Sequence, residues 1–218
     1  LRRGRHVSAL QVRLFAREIK SIGLLSHPNV VQIFQADVTD DGELFYAMEL
    51  IDGASLTTVL ARRGPLPAPL ARRVLDEILA GLEAAHRVGV FHLDVKPSNV
   101  MLRSVDDQKQ VRELGAAVLL DFGIARLADG PAEGGDHVQL GTPGYMAPEQ
   151  RDGDRCDART DVYSLGITLF QMLTGELPFK PTESSDYHMI KEVIEKKPIK
   201  PSSLNKNIPS YIDSIILK

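Results

Sequence analysis

The chain has 218 residues, 43% hydrophobic and 25% charged, with a formal net charge of -3. Such a composition is globular and excludes a disordered, collagen-like or coiled-coil polypeptide, and it supplies enough apolar material for one large domain or two lobes around a cleft. Neither a basic block nor aromatic interleaving marks a nucleic-acid tract, and no apolar run approaches the roughly 20 residues of a membrane span, so neither nucleic acid nor a spanning helix is expected.

The opening Leu1-Arg2-Arg3-Gly4-Arg5 has no initiating Met and no apolar segment behind it, so it reads as a clipped start, not a secretory signal. One cysteine, Cys156, cannot form an internal disulfide, which fits a reducing, cytoplasmic setting. Across residues 8–25, Leu10, Leu14, Phe15, Ile19, Ile22 and Leu25 keep helical spacing, and Pro28 bars continuation. Apolar runs at 30–34 and 44–50, separated by Thr39-Asp40-Asp41-Gly42, predict a hairpin. Ser55 is placed to cap a short helix to Ala61. A longer helix follows Pro67, with Leu70, Val74, Ile78, Leu82 and Ala85 on one stripe, and Gly89 ends it.

Runs at 100–102 and 117–120 predict a second small hairpin with a long polar connection. Residues 121–149, rich in Gly and Pro, predict a long surface loop. Residues 160–173 are apolar nearly all round, as a helix buried in a domain must be. Further helices are predicted near 186–195 and 209–217. No internal repeat is present, but residues 1–179 contain 16 Arg and 3 Lys whereas residues 180–218 contain no Arg and 7 Lys. Folding physics does not require that switch.

Four signals occur in order. His92-Leu93-Asp94-Val95-Lys96-Pro97-Ser98-Asn99 sits between the long helix and a short strand, and Asp121-Phe122-Gly123 follows. Gly141-Thr142-Pro143-Gly144-Tyr145-Met146-Ala147-Pro148-Glu149 comes next, ahead of the buried helix. Each tripeptide alone is weak, and an isolated Asp94 or Lys96 is more often a turn residue or a solvated charge. In this order and spacing they resemble a eukaryotic-type (Hanks-type) serine/threonine protein kinase of bacterial character, over nearly the whole chain.

The resemblance implies an α+β, protein-kinase-like fold: a partial small lobe of one helix and two strands at residues 1–50, and a mainly helical large lobe at 51–218, incomplete at its end. It also implies roles. Asp94 receives or orients the substrate hydroxyl proton, and Lys96 sets an ammonium beside the transferred phosphate. Asn99 and Asp121 supply hard oxygen ligands to Mg2+, which travels with ATP. Thr142 contacts Asp94 and helps fix the incoming protein residue. On the nucleotide side Glu18 pairs with a strand lysine, Met48 guards the adenine pocket, Glu49 and Ile51 offer backbone hydrogen bonds, Asp52 lies near the ribose and Met101 forms the floor. His92 is expected to be a packed structural histidine, stacked with Ile22, Ile33 and Phe122 and anchored by Asp161 at the start of the buried helix.

Three features depart from the pattern. No Gly-x-Gly-x-x-Gly loop exists and no lysine precedes Glu18, while Lys20 follows it on the same helix. Both parts would fall ahead of Leu1, so the piece by itself is expected to be poorly active. Glu149 is expected to be buried without the late arginine that pairs with it in the family, a costly arrangement. Leu93 replaces the arginine that grips an activation-loop phosphate, and the only hydroxyls between Asp121 and Glu149 are Thr142 and Tyr145, which implies activity without such a phosphate. A pseudokinase scaffold is the alternative class, against which the retained Asp94, Lys96, Asn99 and Asp121 weigh. A small-molecule phosphotransferase is the third, against which the long Asp-Phe-Gly to Ala-Pro-Glu segment weighs.

Overall fold

The computed structural model describes residue 23 and residues 25–39, 44–104, 114–122, 142–179 and 197–217. Apolar residues on either side of the Asp-Gly step form an antiparallel hairpin of β1 (Ile33–Val38) and β2 (Leu44–Met48), with Ile33 opposite Met48 and Ala36 opposite Tyr46. The first strand begins later than the apolar run predicts, because Val30 and Val31 pair elsewhere. The Val31 N–H donates to the Leu119 carbonyl and the Leu119 N–H to the Asn29 carbonyl, both at 2.9 Å. This parallel bridge ties the segment to a second sheet.

That sheet is antiparallel, in the order β3 (Gly53–Ser55), β4 (Val100–Ser104), β5 (Leu114–Leu119). The hairpin predicted after residue 100 is therefore present, with a third strand too short to show any alternation in sequence. Gly53 makes that strand possible, since a Cβ there would lie 2.1 Å from the Leu102 carbonyl oxygen.

The helix α1 (Leu56–Arg63) starts at Ser55, whose Oγ accepts the Thr58 N–H at 3.2 Å, and runs slightly past the predicted Ala61. After Pro67, α2 (Ala68–Arg87) turns Ala71, Val74, Ile78, Leu82 and Ala85 inward, each no more than 2% exposed. Burial of Ile78 and Leu82 contributes about 1.5–3 kcal/mol apiece. At its end Gly89 adopts a left-handed φ of 76°, its N–H donating to the His86 carbonyl and that of Val90 to the Ala85 carbonyl. This paired closure is a Schellman motif, and it aims the chain directly into the His92 loop.

Beyond the loop come α3 (Pro148–Asp152), α4 (Ala158–Thr174), α5 (Pro201–Leu204) and α6 (Ser210–Ile216). Asp157 caps α4, accepting the Arg159 N–H at 2.8 Å. Leu165, Met172 and Leu173 of α4 join the α2 stripe, Ile33, Leu102, Leu119 and Phe122 in one core. The architecture is α+β, two small sheets beside a larger helical part. No helix among the described residues is long and apolar enough to cross a membrane. The predicted first helix with Glu18, Lys20 and Ile22, the polar connection before β5, most of the 121–149 loop and the helix near 186–195 lie outside the described residues.

Candidate active site

The loop after α2 is held from beneath by one carboxylate. Asp161, fully buried in the first turn of α4, accepts the His92 N–H on Oδ2 (2.9 Å) and the Leu93 N–H on Oδ1 (2.7 Å). The same Oδ2 lies 2.7 Å from His86 Nε2. These bonds fix Leu93 at φ 62°, a left-handed conformation that costs a branched residue about 1–2 kcal/mol. The Leu93 carbonyl in turn accepts from Gln150 Nε2 at 2.8 Å.

His92 is fully buried, and its ring lies 4.7 Å from that of Phe122. Its Nε2 is 2.8 Å from the Leu120 carbonyl, and Nδ1 accepts the Asp94 N–H at 3.3 Å. These partners assign the proton to Nε2 of a neutral ring. Burial pulls the histidine's pKa below its ordinary value, outweighing the opposing influence of Asp161. His92 is thus a packed histidine in contact with Phe122, and Ile33 belongs to the same core.

The turn that follows gathers three polar side chains. Asp94 Oδ2 stands 2.6 Å from Lys96 Nζ and 3.0 Å from Asn99 Nδ2, and Nδ2 also donates to the Asp94 carbonyl at 2.9 Å. Lys96 Nζ reaches on to Thr142 Oγ1 at 2.8 Å. One ammonium therefore bridges the loop carboxylate and the hydroxyl that opens the Thr142-Pro143-Gly144-Tyr145 turn. With Nδ2 engaged on Asp94, the Asn99 amide oxygen lies on the other side, where it accepts the Ser98 hydroxyl at 3.3 Å and keeps a second lone pair. A small depression beside Asp94 is lined by Thr142, Tyr145, Met146, Gln150 and Ser164.

Asp121 is brought to this loop by the β4–β5 ladder. Val100 pairs with Leu119, the Leu120 N–H donates to the Asn99 carbonyl at 2.9 Å, and Asp121 follows with an exposed side chain and a left-handed φ of 49°. Its Oδ1 accepts the Tyr46 hydroxyl at 2.5 Å. Burial, with Asp121 adding to it, drives the Tyr46 pKa well above the ordinary phenol value, so the hydroxyl keeps its proton.

The residues expected at the nucleotide border end β2, follow it, or lie on β4. Met48 is 38% exposed at the end of β2. The Glu49 N–H donates to the Gln32 carbonyl at 2.8 Å and its carboxylate meets Arg103 at 2.8 Å. Ile51 is buried in a small cluster with Val31 and Val118, against which Met101 packs. Asp52 is exposed, and its carbonyl accepts the Ser104 N–H at 2.8 Å. Glu18 lies outside the described residues.

Glu149 corrects an expectation. It is only partly buried, and its Oε1 takes the Thr160 hydroxyl at 2.6 Å, so the carboxylate is hydrogen-bonded within the described residues. That bond belongs to a polar seam on α4. Thr160, Asp161, Ser164 and Thr168 are all buried, with Ser164 Oγ donating to the Tyr145 carbonyl (2.8 Å) and Thr168 Oγ1 to the Val95 carbonyl (3.4 Å). Reading α4 as apolar nearly all round missed this seam, although hydroxyls at 160, 164 and 168 repeat every fourth residue and so share one face. Tyr46 and Gln150 were missed as well, and neither leaves a sequence pattern.

The geometry of a strained loop held by a buried helix carboxylate, with Asn99, Asp94, Lys96 and Thr142 linked in one chain of contacts, is accompanied by a family match. The protein kinase domain family model matches residues 3–218. The chain belongs to that family, as a bacterial Hanks-type serine/threonine protein-kinase domain. It is 35% identical over 207 residues to a probable serine/threonine-protein kinase of Clostridium perfringens, covering 95% of this chain and 28% of the relative. Against a serine/threonine-protein kinase of Myxococcus xanthus it is 37% identical over 191 residues, covering 86% and 34%. Against the serine/threonine-protein kinase PknB of Mycobacterium tuberculosis it is 34% identical over 212 residues, covering 94% and 32%. The chain thus spans about a third of the length of these relatives.

Proposed function

We propose that the chain carries the catalytic centre of an ATP-dependent serine/threonine protein kinase, which moves the terminal phosphoryl group of ATP to a hydroxyl on a protein. The observation that carries this reading is the contact chain from Asn99 through Asp94 and Lys96 to Thr142. It sets a proton acceptor and a cation side by side at the edge of the Thr142 turn.

Both contacts of the Asp94 side chain fall on Oδ2, which leaves Oδ1 to take the proton of an incoming serine or threonine hydroxyl. As the new oxygen–phosphorus bond forms, the bond from phosphorus to the ADP oxygen breaks, and the hydroxyl proton passes to Asp94. Lys96 holds Asp94 in place and puts positive charge where the transferred group gathers negative charge. Thr142, gripped by Lys96, fixes the acceptor segment relative to Asp94. On the nucleotide side, Met48, the backbone of Glu49 and Ile51, Asp52 and Met101 border the base and ribose, with Glu18 assigned to the phosphate side by resemblance.

Asn99 and Asp121 are the residues that would hold magnesium. Their donors are hard oxygens, and this cation needs only one or two protein carboxylates because phosphates and waters complete its shell. When bound with ATP, the ion neutralises the phosphates.

The test is transfer of labelled phosphate to a protein acceptor by the protein at its natural full length. Asp94→Asn and Asp121→Asn should each lower the rate by about 100-fold or more while leaving the melting temperature close to that of wild type. Unchanged transfer in both variants would overturn the assignment.

A further inference from the structure

The link between Tyr46 and Asp121 joins residues 75 apart in sequence and connects the first hairpin to the turn after β5. Period-two alternation puts Tyr46 on the same face of β2 as Met48. The tyrosine ring packs against the main core, near the cross-strand Ala36, and only its hydroxyl reaches out to the carboxylate.

Asp121 needs such a partner. Its side chain is exposed and its backbone is left-handed, and among the described residues the Tyr46 hydroxyl is the hydrogen-bond partner that selects a rotamer for the carboxylate. The backbone is pinned on one side by the bond from Leu120 to Asn99 and on the other by Phe122, buried against His92. The Tyr46 hydroxyl supplies the remaining constraint, on the carboxylate itself.

We propose that Tyr46 is a positioning residue of the phosphoryl-transfer site: by donating its hydroxyl to Asp121 Oδ1, it turns Oδ2 toward the divalent cation. The inference rests on the reading of Asp121 given above. A hydrogen bond to a charged group, discounted because the carboxylate is exposed, corresponds to about a three- to tenfold effect on cation affinity.

Manganese with a non-hydrolysable ATP analogue is the probe, and the free ion is read by electron paramagnetic resonance on the full-length protein. Tyr46→Phe, which keeps the ring on Ala36, should melt with wild type in the absence of metal yet bind manganese three- to tenfold more weakly. Tyr211→Phe, an exposed tyrosine on α6, should bind as wild type. In wild-type protein with labelled tyrosine, the Tyr46 ring carbon resonance should shift when magnesium is added with the analogue.

If Asp121→Asn abolishes manganese binding while Tyr46→Phe binds as tightly as wild type or more tightly, the positioning role is refuted and the Asp121 assignment stands. An unmoved Tyr46 resonance also refutes it. If Asp121→Asn binds manganese normally, the assignment of Asp121 fails and the role of Tyr46 fails with it.

Discussion

Removing the Asp161 carboxylate is the sharpest test of how the site is held. In Asp161→Ala, the His92 and Leu93 N–H groups lose their acceptors at 2.9 and 2.7 Å, the first in a fully buried place and the second in a partly buried one. Each buried, unpaired N–H costs about 1–3 kcal/mol, or about 2–6 for the pair. Release of Leu93 from its left-handed conformation returns about 1–2 kcal/mol. His86, already partly exposed, can exchange its bond to Asp161 for water. The expected net loss spans about 0–5 kcal/mol and centres on about 2–3, close to the usual cost of deleting one partner from a buried charged network. Chemical denaturation gives the total, and amide hydrogen exchange locates it. Protection should fall first at residues 92 and 93, while helical circular dichroism persists, because α4 keeps its separate cap at Asp157. Both amides remaining as protected as in wild type, whatever the total loss, would refute the account.

Two further outcomes are expected. Because burial lowers the His92 pKa in the folded state, the unfolded chain binds the extra proton, and stability should fall as pH drops below about 6.5, by at most about 1.4 kcal/mol per unit until the folded-state pKa is reached. In His92→Gln, which keeps an N–H for Leu120, that part of the acid slope should vanish from pH-dependent denaturation, and an unchanged slope would remove His92 from the explanation. Separately, Leu93 offers no cation to a loop phosphate, and Thr142 and Tyr145 are already bonded to Lys96 and Gln171 at 2.8 and 2.5 Å. Phosphatase treatment of the full-length protein should leave its transfer activity intact, and a loss traced by mass spectrometry to residues 121–149 would contradict this.

The polymer's own order of letters determined a good deal. A Ser55 cap located α1, a helical stripe located α2, a nearly all-round apolar stretch located α4, the Asp-Gly step located the first hairpin, and the ordered motifs around Asp94, Asp121 and Glu149 identified the family. These signals are legible because periodicity, capping and turn chemistry act over a few residues. Folding decided what depends on contacts between distant segments. Val30 and Val31 look like the start of a strand, yet they pair with β5. Gly53–Ser55 becomes a strand only because β4 lies beside it. Glu149 looked orphaned until Thr160 met it, and Tyr46 looked like an ordinary strand aromatic until the β4–β5 turn placed Asp121 against its hydroxyl. A hydrogen bond across 75 residues leaves no local pattern, because its geometry is set by the packing of the core between its ends.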